Sequence, residues 1–147
     1  MLLLSTRLFL IASTYLVEGY FQKVKITAPV IAEKCNINSR ALMPALRRLT
    51  QVGILKSQVG GREPGFIYAR DPALVSMYEI IVALEGEFSV PSCRDLVDDI
   101  NCEITDCDSC LLFKIMNSGL LNIISDLQKT SIVDHNTGTS HEKCDLY

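Results

Sequence analysis

Four cysteines lie close together in the second half of the 147-residue chain: Cys93, Cys102, Cys107 and Cys110, with the spacing C-x8-C-x4-C-x2-C. Neighbouring thiolates can ligate an iron–sulfur cluster or a zinc ion, and they can also oxidise reversibly as a redox switch. The spacing matches no compact metal-binding motif, so these chemistries stay open beside cysteines that bind nothing. Because no export signal is evident, the six cysteines of the chain indicate a reducing compartment, and we expect a cytoplasmic protein.

A second group of functional side chains is basic and lies in the first half of the chain. Residues 21–70 carry nine lysines and arginines against two acidic residues, whereas residues 71–147 carry four against fourteen. The overall net charge of −3 hides this asymmetry, which creates a local field that attracts phosphate groups. The basic segment therefore predicts double-stranded DNA as a partner.

The elements that would position these residues follow the order of a winged helix-turn-helix. Apolar residues at helical spacing predict helices at 5–20, 27–34, 39–52, 74–85 and 110–129. Two segments, 54–59 and 66–69, flank a turn rich in glycine and proline and predict a β-hairpin wing. We therefore expect a mainly α-helical fold in which residues 1–85 form a winged helix-turn-helix DNA-binding domain.

The third predicted helix, 39–52, is the candidate recognition helix. Its apolar side consists of Leu42, Leu46 and Leu49. Gly53 is expected to end the helix as a C-cap. Proline is tolerated in the first turn of a helix, so Pro44 predicts that the regular helix begins near Ala41.

The predicted DNA contacts come from this helix, the start of the preceding helix and the wing. A helix in the major groove reaches base edges with the residues near its N-terminus, and its N-terminus favours phosphate. Arg40 is placed to donate two hydrogen bonds to a guanine, and Arg62 at the wing tip to reach the minor groove or the backbone. Of Arg47 and Arg48, we expect one to face phosphate and the other solvent. The candidate DNA-binding residues are Thr27, Asn38, Ser39, Arg40, Met43, Arg47, Arg48 and Arg62.

The second half of the chain is predicted to contain three further segments. Residues 86–109 form a polar, acidic and cysteine-rich loop, which we interpret as a sensor. Residues 110–132 form a long amphipathic helix, and dimerisation would cover its apolar side. Residues 133–147 show no periodicity and are predicted to be disordered.

From Leu4 to His135 the chain resembles the IscR/NsrR-type winged-helix regulators of bacteria, the Rrf2 family. The resemblance is carried by Thr-Ser-Ile-Val-Asp at 130–134 and by five earlier segments: Ile-Ala-Glu at 31–33, Ala-Leu-Arg-Arg-Leu-Thr-Gln-Val-Gly-Ile-Leu at 45–55, Gly-Gly at 60–61, Pro-Gly-Phe-Ile-Tyr-Ala-Arg at 64–70 and Tyr-Glu-Ile-Ile-Val-Ala-Leu-Glu-Gly at 78–86. A cysteine-rich loop and a long helix follow them. The resemblance implies a sequence-specific transcription regulator, a homodimer in which the long helix crosses its partner, and a palindromic operator.

The resemblance also implies an iron–sulfur cluster held by three cysteines, which by position are Cys93, Cys102 and Cys110. The chain departs from the family at the remaining ligand. Where some members have a histidine this chain has Phe113, and where others have an acidic residue it has Arg7. Cys107 is then available as a fourth ligand, since four thiolates suit a cluster or zinc.

Catalysis and membrane insertion are not expected. The two histidines, His135 and His141, fall in the segment predicted to be disordered, and no nucleophile has a base at a recognisable spacing. No apolar segment reaches the roughly 20 residues of a membrane span. Two alternative functions stay open. One is a regulator of the same fold that responds to a small ligand or a partner without a cluster, and the other is a protein-interaction or metal-binding module on a winged-helix scaffold.

Overall fold

The computed structural model describes residues 2–59, 64–96, 103 and 106–138. The helices are Leu4–Gln22 (α1), Ala28–Cys35 (α2), Ser39–Gln51 (α3), Met77–Glu85 (α4), Cys93–Leu96 (α5), Leu111–Lys129 (α6) and Ile132–Gly138 (α7), with short 3-10 turns at Pro72–Leu74 and Cys107–Ser109. The strands are Ile26–Thr27 (β1), Leu55–Val59 (β2) and Pro64–Tyr68 (β3). The chain is thus mainly α-helical with a small β wing, and its first helices and hairpin follow the predicted order.

The wing is a three-stranded antiparallel sheet with the strand order β1-β3-β2. The hairpin pairs Leu55 with Tyr68, and β1 adds the pairs Ile26 with Phe66 and Thr27 with Gly65. A Cβ atom on Gly65 would lie 2.9 Å from the Cβ of Lys25, so glycine permits this close approach of the chains. The sequence did not predict β1, because two residues are too few to show a strand alternation.

One core joins the three helices of the first half, the sheet, α4 and the start of α7. Its largest fully buried side chains include Phe9, Leu16, Ile31, Leu42, Leu46, Leu49, Leu55, Ile80 and Ile132. The predicted apolar side of α3 is therefore confirmed as the side that packs against the core. This packing leaves the opposite side of α3 free to face solvent.

The start of α3 differs from the prediction. The side chain of Asn38 accepts a hydrogen bond of 2.9 Å from the backbone nitrogen of Arg40, and the helix begins at Ser39 rather than near Ala41. Pro44 consequently lies inside the helix, beyond its first turn. The N-cap defines the start, because it satisfies a backbone donor that would otherwise lack a partner.

The end of α3 agrees with the prediction. Gly53 follows the last turn with a φ of 80°, a left-handed conformation that favours glycine, and its backbone nitrogen bonds to the carbonyl oxygen of Thr50 at 3.1 Å. The chain then enters β2 directly. This reversal places the wing beside α3.

The chain after α6 returns to the core of the first domain. The prediction that residues 133–147 are disordered is wrong for residues 133–138, because they belong to α7. Ile132 at the start of this helix is fully buried, with a relative exposure of 0%. Residues 139–147 lie outside the described residues. The sequence did not predict α7 because only one of its side chains, that of Ile132, is buried, and a single apolar position shows no periodicity.

Two contacts attach α7 at its two ends. The backbone nitrogen of Ile132 donates a hydrogen bond of 2.9 Å to the carbonyl oxygen of Val75. Farther along, the hydroxyl of Ser13 on α1 is hydrogen-bonded to the side chain of Asn136, with 3.0 Å between the two oxygens. The end of the described chain is therefore attached to the first helix.

Candidate nucleic-acid interface

The solvent side of α3 carries a row of side chains that no part of the core covers. Arg40, Pro44, Arg47 and Gln51 are exposed and follow one another at intervals of three and four residues. Residues at these intervals lie on one face of a helix. Leu42, Leu46 and Leu49 occupy the opposite face and are buried. We call the exposed row the outer face of α3.

Met43 lies at the edge of this face, between α3 and the wing. It lines a groove of about 380 Å³ whose other lining residues are Arg47, Thr50, Gln51, Ser57, Pro64 and Phe66. It also lines a smaller groove of about 200 Å³ together with Ala28, Pro29, Ser39 and Pro64. The start of α2, the recognition helix and the base of the wing therefore border one concave surface.

Thr27 and Asn38 define the starts of the two helices at this surface. Thr27 is the residue before α2 and pairs with Gly65 of the wing, and its side chain caps no backbone donor of α2. Asn38 caps α3 through its own side chain. The structure thus brings the N-terminus of α2 next to the wing and gives Asn38 the structural role of an N-cap.

Arg48 lies on a different side of α3 from Arg47. Its Nε donates a hydrogen bond of 3.0 Å to the carbonyl oxygen of Ala83 in the last turn of α4. Local sequence patterns do not predict this contact, because the two residues are 35 positions apart. Of the two neighbouring arginines, Arg47 belongs to the outer face and Arg48 contacts α4.

A second arginine also contacts α4. Arg70, just after β3, forms an ion pair with Glu79. The other carboxylate oxygen of Glu79 accepts a hydrogen bond of 3.0 Å from the backbone nitrogen of Ser76, and the Ser76 hydroxyl accepts one of 3.2 Å from the nitrogen of Glu79. Burial raises the pKa of Glu79, but the hydrogen bonds from Ser76 and the Arg70 charge outweigh it and lower this pKa. The Ser-x-x-Glu pattern is a capping box that sequence analysis missed.

One of the predicted contacts, Arg62, belongs to the turn between β2 and β3. Residues 60–63, with Arg62, lie outside the described residues. Arg62 therefore stays a prediction. The described parts of the wing, β2 and β3, reach the edge of the concave surface beside α3.

The cysteine-rich segment is described in part. Cys93 is exposed at the start of α5, and Cys107 and Cys110 are half-buried around the 3-10 turn that precedes α6. Cys102 lies outside the described residues. In the part of the chain that the structure covers, no three histidine, cysteine, aspartate or glutamate side chains lie close enough to hold a metal ion. Cys93, Cys107 and Cys110 form no such group among the described residues, and the metal or cluster site stays a prediction.

The long helix α6 exposes an apolar side. None of its residues is buried, and its exposed apolar side chains are Leu111, Leu112, Ile115, Met116, Leu121 and Ile123. Four of these, at 112, 115, 116 and 123, lie on one side of the helix by their spacing. An exposed apolar surface of this kind is typical of a protein interface.

Among the described residues, no helix has the length and the apolar character to cross a membrane.

A helix-turn-helix with a β wing and a basic outer face defines a winged-helix transcription regulator as the class of protein. The chain matches the sequence model of the Rrf2 family, described as an iron-dependent transcriptional regulator, over residues 5–136, and it belongs to this family. Members of the family are transcription regulators, and this confirms the prediction that the chain is not an enzyme. A comparison with curated proteins finds no match.

Solved structures show the same fold. The global cysteine regulator CymR of B. subtilis has a TM-score of 0.71 and 19% identity, over 95% of this chain and 98% of that chain. IscR of T. potens has a TM-score of 0.68 and 18% identity, over 94% of this chain and 87% of that chain. The oxidised form of CymR from Staphylococcus aureus has a TM-score of 0.63 and 20% identity, over 91% and 94%. At these identities the likeness confirms the winged-helix architecture.

Proposed function

We propose that the chain is a homodimeric, sequence-specific DNA-binding regulator whose outer face of α3 enters the major groove. The observation that carries this proposal is the outer face itself, where Arg40 and Arg47 are exposed and no residue of the core covers them. Arg40 lies in the first turn, the part of a recognition helix that reaches base edges, and its fork matches guanine. Arg47, two turns later, is placed for a phosphate.

The start of α2 supplies the second anchor. Backbone N–H groups at a helix N-terminus attract phosphate, and Thr27 leaves its hydroxyl without a capping role there. Because this N-terminus and the wing border the same concave surface as α3, the three elements can contact one stretch of DNA together. The predicted contact of Arg62 extends this surface beyond the described residues.

The dimer is proposed from α6. Pairing of the apolar side of α6 with that of a second copy would remove Leu112, Ile115, Met116 and Ile123 from water, a favourable transfer for each side chain. A two-fold dimer presents two recognition helices, so we expect a palindromic operator with half-sites about one helical turn apart.

Selection from a pool of random DNA duplexes tests the proposal. The purified chain should enrich one palindromic sequence, and Arg40→Ala should weaken binding to it at least about tenfold, because a bidentate arginine–guanine pair contributes about 1–3 kcal/mol. Lys129→Ala at the end of α6 removes an exposed positive charge away from the outer face and should leave affinity nearly unchanged. Enrichment of no sequence at physiological salt would overturn DNA recognition.

The cysteine-rich segment is a separate part of the proposal. By its resemblance to the family, the loop is expected to sense through an iron–sulfur cluster, with zinc or a reversible thiol switch as alternatives. The proposed DNA interface consists of side chains and backbone groups of α2, α3 and the wing, and it does not depend on which of these is correct. Purification without oxygen, followed by iron and sulfide analysis, distinguishes the cluster from zinc and from the thiol switch. Matching iron and sulfide support the cluster, and their absence after reconstitution moves the search to zinc or thiol oxidation.

A further inference from the structure

Pro44 is an unfavourable residue at its position. It lies inside α3, beyond the first turn, and its ring is exposed. Proline has no N–H to donate to the carbonyl oxygen of Arg40, and it costs about 3 kcal/mol in a helix interior relative to alanine. The core offers no compensation, because the buried side of α3 is the opposite one. An exposed residue with this cost and no packing role is a candidate for a function on the surface.

The location of Pro44 indicates what kind of molecule its ring contacts. Arg40 lies one turn before it and Arg47 one turn after it on the outer face. A surface between two exposed arginines is poorly suited to another protein's apolar patch. It is well suited to DNA, where the arginines contact guanine and phosphate on either side of Pro44.

The chemistry of the proline ring limits which group of the DNA it can recognise. Proline carries neither a donor nor an acceptor on its side chain, so in the major groove it can recognise apolar groups alone. The C5-methyl group of thymine is the apolar group that base edges present in this groove. We propose that the ring of Pro44 contacts the methyl group of one thymine in each half-site, next to the guanine that Arg40 reads. This inference rests on the proposed DNA binding and adds a base that Pro44 specifies.

The experiment replaces thymine by deoxyuridine, which lacks the methyl group and keeps the same hydrogen-bonding edge. Each thymine of the selected operator is replaced in turn, symmetrically in both half-sites, and affinity is measured for the wild-type chain and for Pro44→Gly. We expect a loss of about threefold to fivefold per half-site at one thymine for the wild-type chain, the value of one buried methyl group. For Pro44→Gly the same replacement should have no effect.

The controls separate this contact from a change of fold. Glycine is less unfavourable than proline in a helix interior, so Pro44→Gly should fold and should melt at a higher temperature. Pro91→Ala, at an exposed proline in the segment after α4 and outside the concave surface, should keep the full deoxyuridine effect.

The possible results distinguish the role of Pro44 from DNA recognition itself. If no thymine shows an effect, or if Pro44→Gly shows the same loss as the wild-type chain, the role of Pro44 is refuted while DNA recognition stands. If no operator is enriched at all, the proposed function fails, and this inference fails with it. In a fresh selection with Pro44→Gln, we expect adenine to replace thymine at that position, because the glutamine amide pairs with adenine.

Discussion

The Nε of Arg48 donates a hydrogen bond of 3.0 Å to the carbonyl oxygen of Ala83, and this contact joins α3 to the last turn of α4. Two residues later α4 ends at Glu85, and the segment with the cysteines begins at Gly86. Arg48 therefore joins α3 to the helix end that precedes this segment. Arg70, just after β3, contacts α4 one turn earlier through its ion pair with Glu79 and so joins the end of the wing to the same helix.

The two neighbouring arginines of α3 should respond differently to salt. Arg47→Ala should reduce the slope of log affinity against log salt by about 0.9 per half-site, the value of one lost phosphate contact. Arg48→Ala should leave this slope unchanged and lower the free energy of unfolding by about 1 kcal/mol, since it loses a hydrogen bond within the protein. Titrations of operator DNA at several salt concentrations and urea denaturation measure both. An equal fall in slope for both variants would assign Arg48 to the DNA.

Removal of the side chain of Ile132 should destabilise the DNA-binding domain although this residue follows the long helix. Ile132→Ala should cost about 2–5 kcal/mol, because the side chain is fully buried in the shared core. Ile11→Ala, at an isoleucine that is 55% exposed on α1, is the matched control and should cost less than about 0.5 kcal/mol. Chemical denaturation measures both, and a cost for Ile132→Ala as small as that of the control would contradict the docking of α7.

Acid should weaken the fold in part through Glu79. Its pKa is lowered below the ordinary value of 4.5, because hydrogen bonds from Ser76 and the charge of Arg70 outweigh the effect of burial. Such a carboxylate stabilises the folded state above its unfolded pKa, and this contribution is lost as the pH falls through the folded pKa. From about pH 5 to pH 3 we therefore expect the wild-type chain to lose more unfolding free energy than Glu79→Gln.

The measurement for Glu79 is urea denaturation at a series of pH values. Glu87→Gln, at an exposed glutamate just after α4, serves as the control and should follow the wild-type pH dependence. Identical pH profiles for wild type and Glu79→Gln would show that the capping box and the ion pair do not contribute to acid sensitivity.

A charge on the apolar side of α6 should separate the proposed dimer. Ile115→Glu places a carboxylate at a side chain that is now 61% exposed and that the partner would cover, so burial of an unpaired charge opposes association. Sedimentation analysis should show a monomer, with weaker binding to a palindromic operator. Lys114→Glu puts the same charge on the adjacent exposed position, about 100° around the helix, and should remain a dimer. A wild-type chain that sediments as a monomer at micromolar concentration would refute the proposed interface.

The sequence by itself determined the features that depend on neighbouring residues. The helical spacing of Leu42, Leu46 and Leu49 predicted which side of α3 is buried, because residues three and four apart share a helix face wherever that helix lies. Gly53 predicted the end of the helix, because a left-handed turn needs little more than a residue without a Cβ atom. The order of helices and hairpin, and with it the winged-helix class, followed from such local patterns.

Tertiary structure alone decided the features that depend on which surfaces meet. The bond of Arg48 to Ala83 spans 35 positions and that of Ser13 to Asn136 spans 123, and no local pattern encodes contacts at such separations. The burial of Ile132 likewise depends on α6 ending where α7 can return to the core. The strand β1 exists because β3 offers it a partner. Local preference determines an element, whereas the free energy of burying one element against another determines where it lies and which of its side chains remain free to act.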